Sequence, residues 1–254
     1  MLFVRAIILF SVYSFLGWMI ETVFCSICER RFVSRGFLFG PVCPIYAFGA
    51  FFVLLLLKPF SQSYLLTFVL GMVICSAVEY CASYILEKLF NKSWWDYKDY
   101  LLNLNGRITF FYSLAWGFLC LLLVSIVHPT IGLLLRHIPE KVQVSASVLL
   151  SIAFLADIIY SIHDTIRFNR SFAAVSDVID RINKIKSMIA ASAGDTKAKL
   201  ENELASLVKQ QETFLKTQVR KMRRILNSFP KLRASKMDRL SIREMIHQYI
   251  NRHG

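Results

Sequence analysis

Five apolar segments fill most of the first 160 residues, and their lengths constrain the fold more than any other feature. They cover roughly residues 6–27, 42–57, 64–86, 108–127 and 142–160. A helix that crosses the hydrocarbon core of a bilayer needs about 20 mostly apolar residues. We therefore predict an all-α, polytopic helical membrane protein with about five transmembrane helices. His128-Pro129 should end the fourth helix and leave residues 130–135 at the interface.

A stretch that is poor in helix formers leads into the second segment. Residues 34–49 read SRGFLFGPVCPIYAFG. Its helix-breaking residues include Gly36, Gly40, Pro41 and Pro44. Irregular backbone at membrane depth persists only where protein or a water-filled cavity covers it. We predict a broken or re-entrant entry whose freed amides, with Arg35 beside them, suit an anionic group. The alternative is a tight loop whose glycines let helices pack closely.

Acidic residues inside the apolar segments mark a candidate site. Glu79 lies within the third segment, Glu21 near the end of the first and Asp157 near the end of the fifth. A charge at mid-bilayer costs roughly 2.5 to 3.5 kcal/mol on insertion scales, so such residues usually face a bundle interior or a water-filled path. The alternatives are interfacial glutamates or a protonated glutamate bonded to another helix. Asp157 would then cap its helix or pair with Arg167.

A second polar stretch, WWDYKDYLLNLNGRITFFYSLAWG, spans residues 94–117. Its aromatic residues Trp94, Trp95, Tyr97 and Tyr100 suggest a belt at the headgroup level. Hydrogen-bonding groups precede the fourth span: Asp96, Asn103, Asn105 and Arg107. Gly106-Arg107 parallels Arg35-Gly36, so both halves show a span with a glutamate, a basic loop, a Gly/Arg pair and another span. A diverged repeat of this kind would suit a transporter.

Basic charge is concentrated after residue 160. Residues 161–254 hold 19 Lys and Arg against 9 Asp and Glu, whereas residues 1–160 hold 11 against 8. Beside so much apolar sequence, this charge predicts binding to anionic lipid and no binding to nucleic acid. The loop charges place the chain in the cell membrane with its N-terminus outside and its C-terminus cytoplasmic. We expect a transmembrane domain over 1–160 and a basic cytoplasmic helical tail over 161–254.

The tail has its own helical pattern. Apolar residues recur at helical spacing over 175–189 and again over 200–226, with ASAGDT between the two runs. This pattern predicts a helical hairpin, and a self-associating coiled coil that makes a homo-oligomer is the alternative. After Pro230, Ser241-Ile-Arg-Glu244 is a capping-box pattern that predicts a short last helix.

Three motifs carry a resemblance to a known family. They are YSFLGWMIE, SRGFLFGPVCPIYAFGA and WWDYKDYLLNLNGRITFFYSLAWG, in that order within residues 8–160. They resemble the signature segments of a bacterial membrane family catalogued as putative ABC-transporter type IV. Ser34 stands where that pattern tends to have asparagine, and Lys98 where it tends to have serine. The resemblance implies a polytopic inner-membrane protein of permease type.

The transport hypothesis implies a partner. No G-x-x-x-x-G-K-[ST] motif occurs in the chain, so an ABC system would need a separate nucleotide-binding ATPase subunit, for which the tail is the expected dock. The expected substrate site is a cytoplasm-facing cavity in which the two arginines contact an anionic group and the glutamates carry or balance protons. Its predicted residues are Glu21, Arg35, Gly36, Gly40, Pro41, Pro44, Glu79, Asp96, Asn103, Gly106 and Arg107. We predict no metal and no cofactor.

Three other function classes stay open at this point. A stand-alone channel or proton-coupled carrier could use Glu21 and Glu79. A membrane-interface enzyme acting on a lipid-like substrate would place its chemistry near His163-Asp164, but the chain has no nucleophile elbow and no H-E-x-x-H motif. A membrane-anchored scaffold or sensor would recruit partners through the tail.

Overall fold

The computed structural model describes residues 1–60, 62–90, 92–229 and 232. Helices dominate this part of the chain, which confirms the all-α prediction. The α-helices are α1 (Leu2–Glu29), α2 (Pro44–Leu56), α3 (Tyr64–Phe90), α4 (Phe110–Leu122), α5 (His128–His137), α6 (Glu140–Ala191) and α7 (Asp195–Ser228). Two short antiparallel strands, β1 (Asn103–Leu104) and β2 (Ile108–Thr109), pair Asn103 with Thr109 and Leu104 with Ile108. Residues Met1–Ser161 form one compact unit, and a second begins at Ile162.

In the described part of the chain, four helical segments are long and apolar enough to cross a membrane. They are Leu2–Glu29, Tyr64–Phe90, Phe110–His137 and Glu140–Ala191. The predicted second segment corresponds to α2, which has only 13 residues. At 1.5 Å per residue such a helix is about 20 Å long, which is shorter than a hydrocarbon core of about 30 Å. The second segment therefore does not span as a helix on its own.

The fourth helix does not end at Val127, so the predicted stop at His128-Pro129 is wrong. A π-helical turn, Leu123–Val127, joins α4 directly to α5. Pro129 lies in the first turn of α5. The π turn changes the local hydrogen-bonding pattern at the point where the proline offers no N–H, so the helix continues. Residues 130–135 consequently belong to this helix and are not a separate interfacial stretch.

The predicted fifth span and the first arm of the tail are one helix. α6 runs for 52 residues, from Glu140 to Ala191. Its sequence contains neither glycine nor proline, so no local signal ends the helix when its composition changes from apolar to charged. Asp157 is thus an interior helical residue and not a helix cap.

The segment between α1 and α2 folds back along α1. The Val33 amide donates to Ser26 Oγ at 3.0 Å and the Arg35 amide to Thr22 Oγ1 at 3.2 Å. The Cys43 amide donates to the Ser14 carbonyl at 2.8 Å. The irregular segment therefore descends beside α1 instead of turning at its end.

α2 then continues in the same direction along α1. Tyr13 of α1 shares a buried cluster with Ala47 and Ala50, and Leu9 and Leu54 both pack against that cluster. From Ser26 to Leu9, α1 rises about 25 Å at 1.5 Å per residue. The irregular segment and α2 together cover this length, so the glycine- and proline-rich stretch lies alongside a helix that is long enough to span.

The second unit contains two helical arms. A turn at residues 192–194 separates α6 from α7, at the predicted ASAGDT break. Arg224 Nε of α7 donates to Asp164 Oδ2 of α6 at 2.6 Å, so the arms run antiparallel. Their buried apolar residues include Val175, Ile179, Ile182, Met222 and Ile225. Pro230 and the predicted helix at Ser241-Ile-Arg-Glu244 lie outside the described residues.

Candidate functional site

Glu79 of α3 is the acidic centre of the candidate site. Glu79 is 6% exposed. Trp116 Nε1 donates to Oε2 at 2.8 Å, and the Tyr97 hydroxyl donates to Oε1 at 3.2 Å. Both donors are neutral, and Glu79 pairs with no cationic side chain among the described residues. The described residues around Glu79 thus offer hydrogen bonds to the carboxylate but no compensating positive charge.

Glu21 of α1 forms a neighbouring polar centre. Arg35 Nε donates to Oε1 at 3.2 Å, and the Tyr46 hydroxyl donates to Oε2 at 2.6 Å. This ion pair places the negative charge of Glu21 against the guanidinium of Arg35, which favours the charged form of the arginine. Arg35 is therefore held as a cation by the protein's own glutamate.

Two aromatic rings connect these centres. The rings of Tyr46 and Trp116 meet edge to face with centroids 5.2 Å apart. Gly17 makes this packing feasible, because a Cβ there would lie 2.2 Å from Tyr46 Cγ. In each half of the chain, then, a glutamate on the first helix accepts a hydrogen bond from an aromatic residue on the next helix: Tyr46 to Glu21 and Trp116 to Glu79.

A cavity of about 110 Å³ lies among α1 to α4 and the π turn beside Glu79. Its wall is mainly aliphatic and aromatic, and of the described residues that line it Glu79 is the charged one. The lining residues include Tyr13, Gly17, Tyr46, Ala50, Cys75, Trp116 and Cys120. The arrangement is an apolar chamber with a single carboxylate in its wall, which suits binding of a small ligand.

The irregular segment before α2 binds the carboxylate of Asp157, a residue of α6. The Phe39 and Gly40 amides donate to Asp157 Oδ1 and Oδ2 at 2.8 and 2.9 Å. Ser161 Oγ donates to Asp157 Oδ1 at 3.1 Å. Asp157 therefore joins α6 to this segment, a different role from the predicted pairing with Arg167. Because the carboxylate satisfies the two amides, they are not a site for an external anion.

The rest of this segment has local roles. Gly36 adopts φ +119°, a conformation that L-residues rarely adopt. Pro44 lies in the first turn of α2, where a missing N–H costs no hydrogen bond. Gly40 lies against Asp157, since a Cβ there would approach Oδ2 to 2.9 Å. Together with Pro41, these residues shape the segment, and none of them lines the cavity.

Arg107 belongs to a separate cluster at the end of α3. Its Nη2 pairs with Glu87 Oε2 at 2.7 Å, and its Nη1 donates to the Tyr80 hydroxyl at 3.1 Å. The guanidinium carbon also lies 5.1 and 5.3 Å from the ring centroids of Tyr80 and Tyr84. Arg107 is 6% exposed, and these internal contacts stabilise its buried charge. They replace the substrate contact that the sequence predicted for this residue.

The remaining predicted residues order the loop before α4. Asp96 accepts from the Lys98 amide at 2.9 Å and pairs with its Nζ at 3.6 Å. The Asn103 side chain donates to the Tyr100 carbonyl at 2.8 Å and accepts from the Gly106 amide at 3.0 Å. Gly106 adopts φ +69°. This loop presents Tyr97 to Glu79, so its contribution to the site is indirect.

Trp94 is buried and takes no part in the predicted headgroup belt, which stays a prediction for Trp95, Tyr97 and Tyr100. Trp94 is 3% exposed and packs edge to face against Phe37 and Phe90. Trp95 Nε1 donates to the Arg107 carbonyl at 3.0 Å. Trp94 faces protein because the loop folds onto the ends of the helices, which a sequence pattern of clustered aromatics does not distinguish from a lipid-facing belt.

Among the predicted site residues, the fold therefore brings together Glu21, Arg35 and Glu79, and of all the predicted residues only Glu79 lines the cavity. Sequence reasoning missed the donors Tyr46 and Trp116 and the amide-binding role of Asp157. Both aromatic residues carry a polar atom within an apolar helix, and a buried polar atom needs a hydrogen-bond partner. That requirement was the signal that the sequence offered.

Comparison with known proteins identifies a family. The model of a family described as putative ABC-transporter type IV matches residues 8–162. The matched range contains all the described residues that line the cavity. No curated protein and no solved structure matches the chain.

Proposed function

Because the chain belongs to the putative ABC-transporter type IV family, we propose that it is the permease-like membrane component of a transport system. Its substrate site is the cavity beside Glu79. The observation that carries this proposal is a buried carboxylate in the wall of an apolar chamber. Its hydrogen-bond donors are neutral, and it has no cationic partner among the described residues. An ionisable group in such a place within a membrane protein is a functional candidate by default.

The two glutamates have different tasks in this proposal. Glu79 contacts the substrate, because it lines the cavity. Glu21 is charge-balanced by Arg35 and is linked to the cavity wall through Tyr46. Movement of Tyr46 or Trp116 on substrate binding would change the hydrogen bonds of both carboxylates. In this proposal Glu79 balances the charge of the substrate.

The membrane arrangement follows from the path of the segment that precedes α2. We propose that residues 31–57 make the second crossing, with amides of the irregular part hydrogen-bonded to α1 and α6, since irregular backbone at membrane depth needs partners for its polar groups. The chain then crosses five times and its termini lie on opposite sides. The excess of basic residues in the tail supports a cytoplasmic C-terminus, by the positive-inside rule, and binding of the tail to anionic lipid.

An ATPase partner is the part of the proposal that is simplest to test. Full-length tagged protein is extracted in a mild detergent, and stoichiometric partners are identified by mass spectrometry. A co-purifying P-loop ATPase is the expected result, and a variant truncated after Ala191 should lose it if the tail is the dock. A homo-oligomer with no ATPase would contradict an ABC mechanism and leave a stand-alone carrier.

A further inference from the structure

We propose that the cavity takes a small lipophilic cation, such as an alkylammonium ion, with its charge against Glu79. This inference rests on the proposed function, because it assigns a substrate class to the same cavity. It replaces the anionic substrate that the sequence suggested. Four observations support it: the positions of the arginines, the charge of the wall, the aromatic rings beside the carboxylate and the size of the chamber.

The arginines that would attract an anion are engaged elsewhere. Arg35 pairs with Glu21, and Arg107 pairs with Glu87 and lies over two tyrosine rings. Neither arginine lines the cavity. An anion entering this chamber would meet the Glu79 carboxylate with no cation in the described wall to offset it. Like charges in a medium of low dielectric repel strongly, so an anion is disfavoured.

A cation meets the opposite electrostatics. The carboxylate of Glu79 accepts hydrogen bonds from Trp116 and Tyr97, and these neutral donors orient the carboxylate without adding a positive charge that would offset it. The Tyr46 and Trp116 rings also line the cavity. The faces of such rings attract cations, by about 0.5 to 2 kcal/mol depending on desolvation. Carboxylate and rings therefore act in the same direction.

The rest of the cavity wall favours a ligand that is small and has an apolar surface. Aliphatic residues such as Leu16, Val53 and Leu119 supply most of it, so a strongly hydrated ion would lose its water without replacement. An engineered apolar cavity of about 150 Å³ accommodates benzene. A chamber of about 110 Å³ therefore suits a ligand of roughly five heavy atoms by the same comparison. A branched alkylammonium ion combines this size with a positive charge and an apolar body.

Three probes share a tert-butyl group and differ in charge. They are tert-butylammonium, its neutral isostere tert-butanol and the carboxylate pivalate. Binding to purified full-length protein in a non-ionic detergent is followed by saturation-transfer NMR and by isothermal titration. The variants are Glu79→Gln at the site, Glu87→Gln as a matched acidic control outside the cavity, and Ala50→Leu, which fills the chamber from α2.

We expect tert-butylammonium to bind at least tenfold more tightly than tert-butanol. Glu79→Gln should remove that difference, Ala50→Leu should weaken binding of the ammonium ion at least tenfold, and Glu87→Gln should change neither. Binding of tert-butylammonium that survives both Glu79→Gln and Ala50→Leu would overturn the inference. Saturable binding of pivalate in preference to tert-butylammonium would also overturn it but leave the cavity as a ligand site. If none of the probes binds the wild-type protein, the inference and the assignment of the cavity as substrate site both fail.

Discussion

The backbone amide of Gly40 donates a 2.9 Å hydrogen bond to the carboxylate of Asp157, which lies 117 residues further along the chain. The same carboxylate accepts from the Phe39 amide. A stretch rich in glycine and proline cannot satisfy its own amides as a helix does, and hydrocarbon offers no water to replace the missing bonds. The long helix α6 thus provides the acceptor that allows irregular backbone to lie against α1.

Replacing Asp157 with asparagine should destabilise the membrane unit. One carboxylate oxygen becomes an amide donor that faces a backbone N–H, so a hydrogen bond is replaced by a donor–donor contact. We expect the free energy of unfolding to fall by about 1 to 3 kcal/mol, measured by thermal unfolding in detergent. Asp177→Asn is the control, because Asp177 forms an exposed ion pair with Arg181 and should cost less than about 0.5 kcal/mol. Equal melting temperatures for the wild type and Asp157→Asn would contradict this role.

Adding a methyl group at Gly17 should displace Tyr46. The new Cβ would lie 2.2 Å from Tyr46 Cγ, so the ring must leave its place against α1 and its hydroxyl must leave Glu21. We expect a loss of about 1 to 3 kcal/mol from overpacking. Gly132→Ala is the matched control in α5, where a Cβ meets nothing within 4 Å. If the two glycine variants unfold at the same temperature, the close packing of Tyr46 on Gly17 is not important for stability.

The buried Lys92 should make the free energy of unfolding depend on pH. It lies just after α3 and is 8% exposed, and burial lowers its pKa from 10.5 to about 8. Between these two values the unfolded chain holds a proton that the folded chain has released. Stability therefore rises with pH across this window and is level below about pH 8. The melting temperature of the wild type, minus that of Lys92→Met, should increase from pH 8 to pH 10. A difference that stays constant over this range would contradict the lowered pKa.

The five-crossing arrangement predicts which positions face the outside. In a cysteine-free background, Ser63→Cys and Arg136→Cys should react with an impermeant maleimide added to intact cells. Arg30→Cys and Ser192→Cys should react only after the membrane is permeabilised. Labelling of Arg30→Cys together with Ser63→Cys in intact cells would show that residues 31–57 do not cross.

Much of the fold could be predicted from composition alone. The helices α1 and α3 cover the first and third apolar segments, because a continuous run of apolar residues satisfies its backbone only as a helix in lipid. The ends of α4 and α6 could not be predicted so well. Pro129 is a strong stop signal that a π turn accommodates, and the change from lipid-facing to charged sequence within α6 leaves the helix intact.

The site was harder to predict than the fold, because long-range partners decide it. Glu79 and Glu21 attract attention as charges in apolar sequence, but nothing local indicates that Trp116 and Tyr46 bind them. Arg35 and Arg107 look like substrate contacts until Glu21 and Glu87 are found beside them. Their partners lie 14 and 20 residues away. In each pair the glutamate is in a helix and the arginine lies beyond the end of that helix, so no periodicity within one element links them.

The cavity among α1 to α4 is the feature on which the proposed transport depends, and native cysteines report on it directly. Cys75 and Cys120 both line the cavity, and their sulfur atoms lie 3.5 Å apart. Cys43 is buried and does not line the cavity. The most direct measurement is the rate at which methylmercury modifies each cysteine in reduced, purified protein, read by peptide mass spectrometry. A ligand-accessible cavity predicts that Cys75 reacts at least tenfold faster than Cys43, and that Ala50→Leu removes this advantage. Equal rates at Cys75 and Cys43 in the wild type, or a rate at Cys75 that Ala50→Leu leaves unchanged, would contradict a ligand site at Glu79.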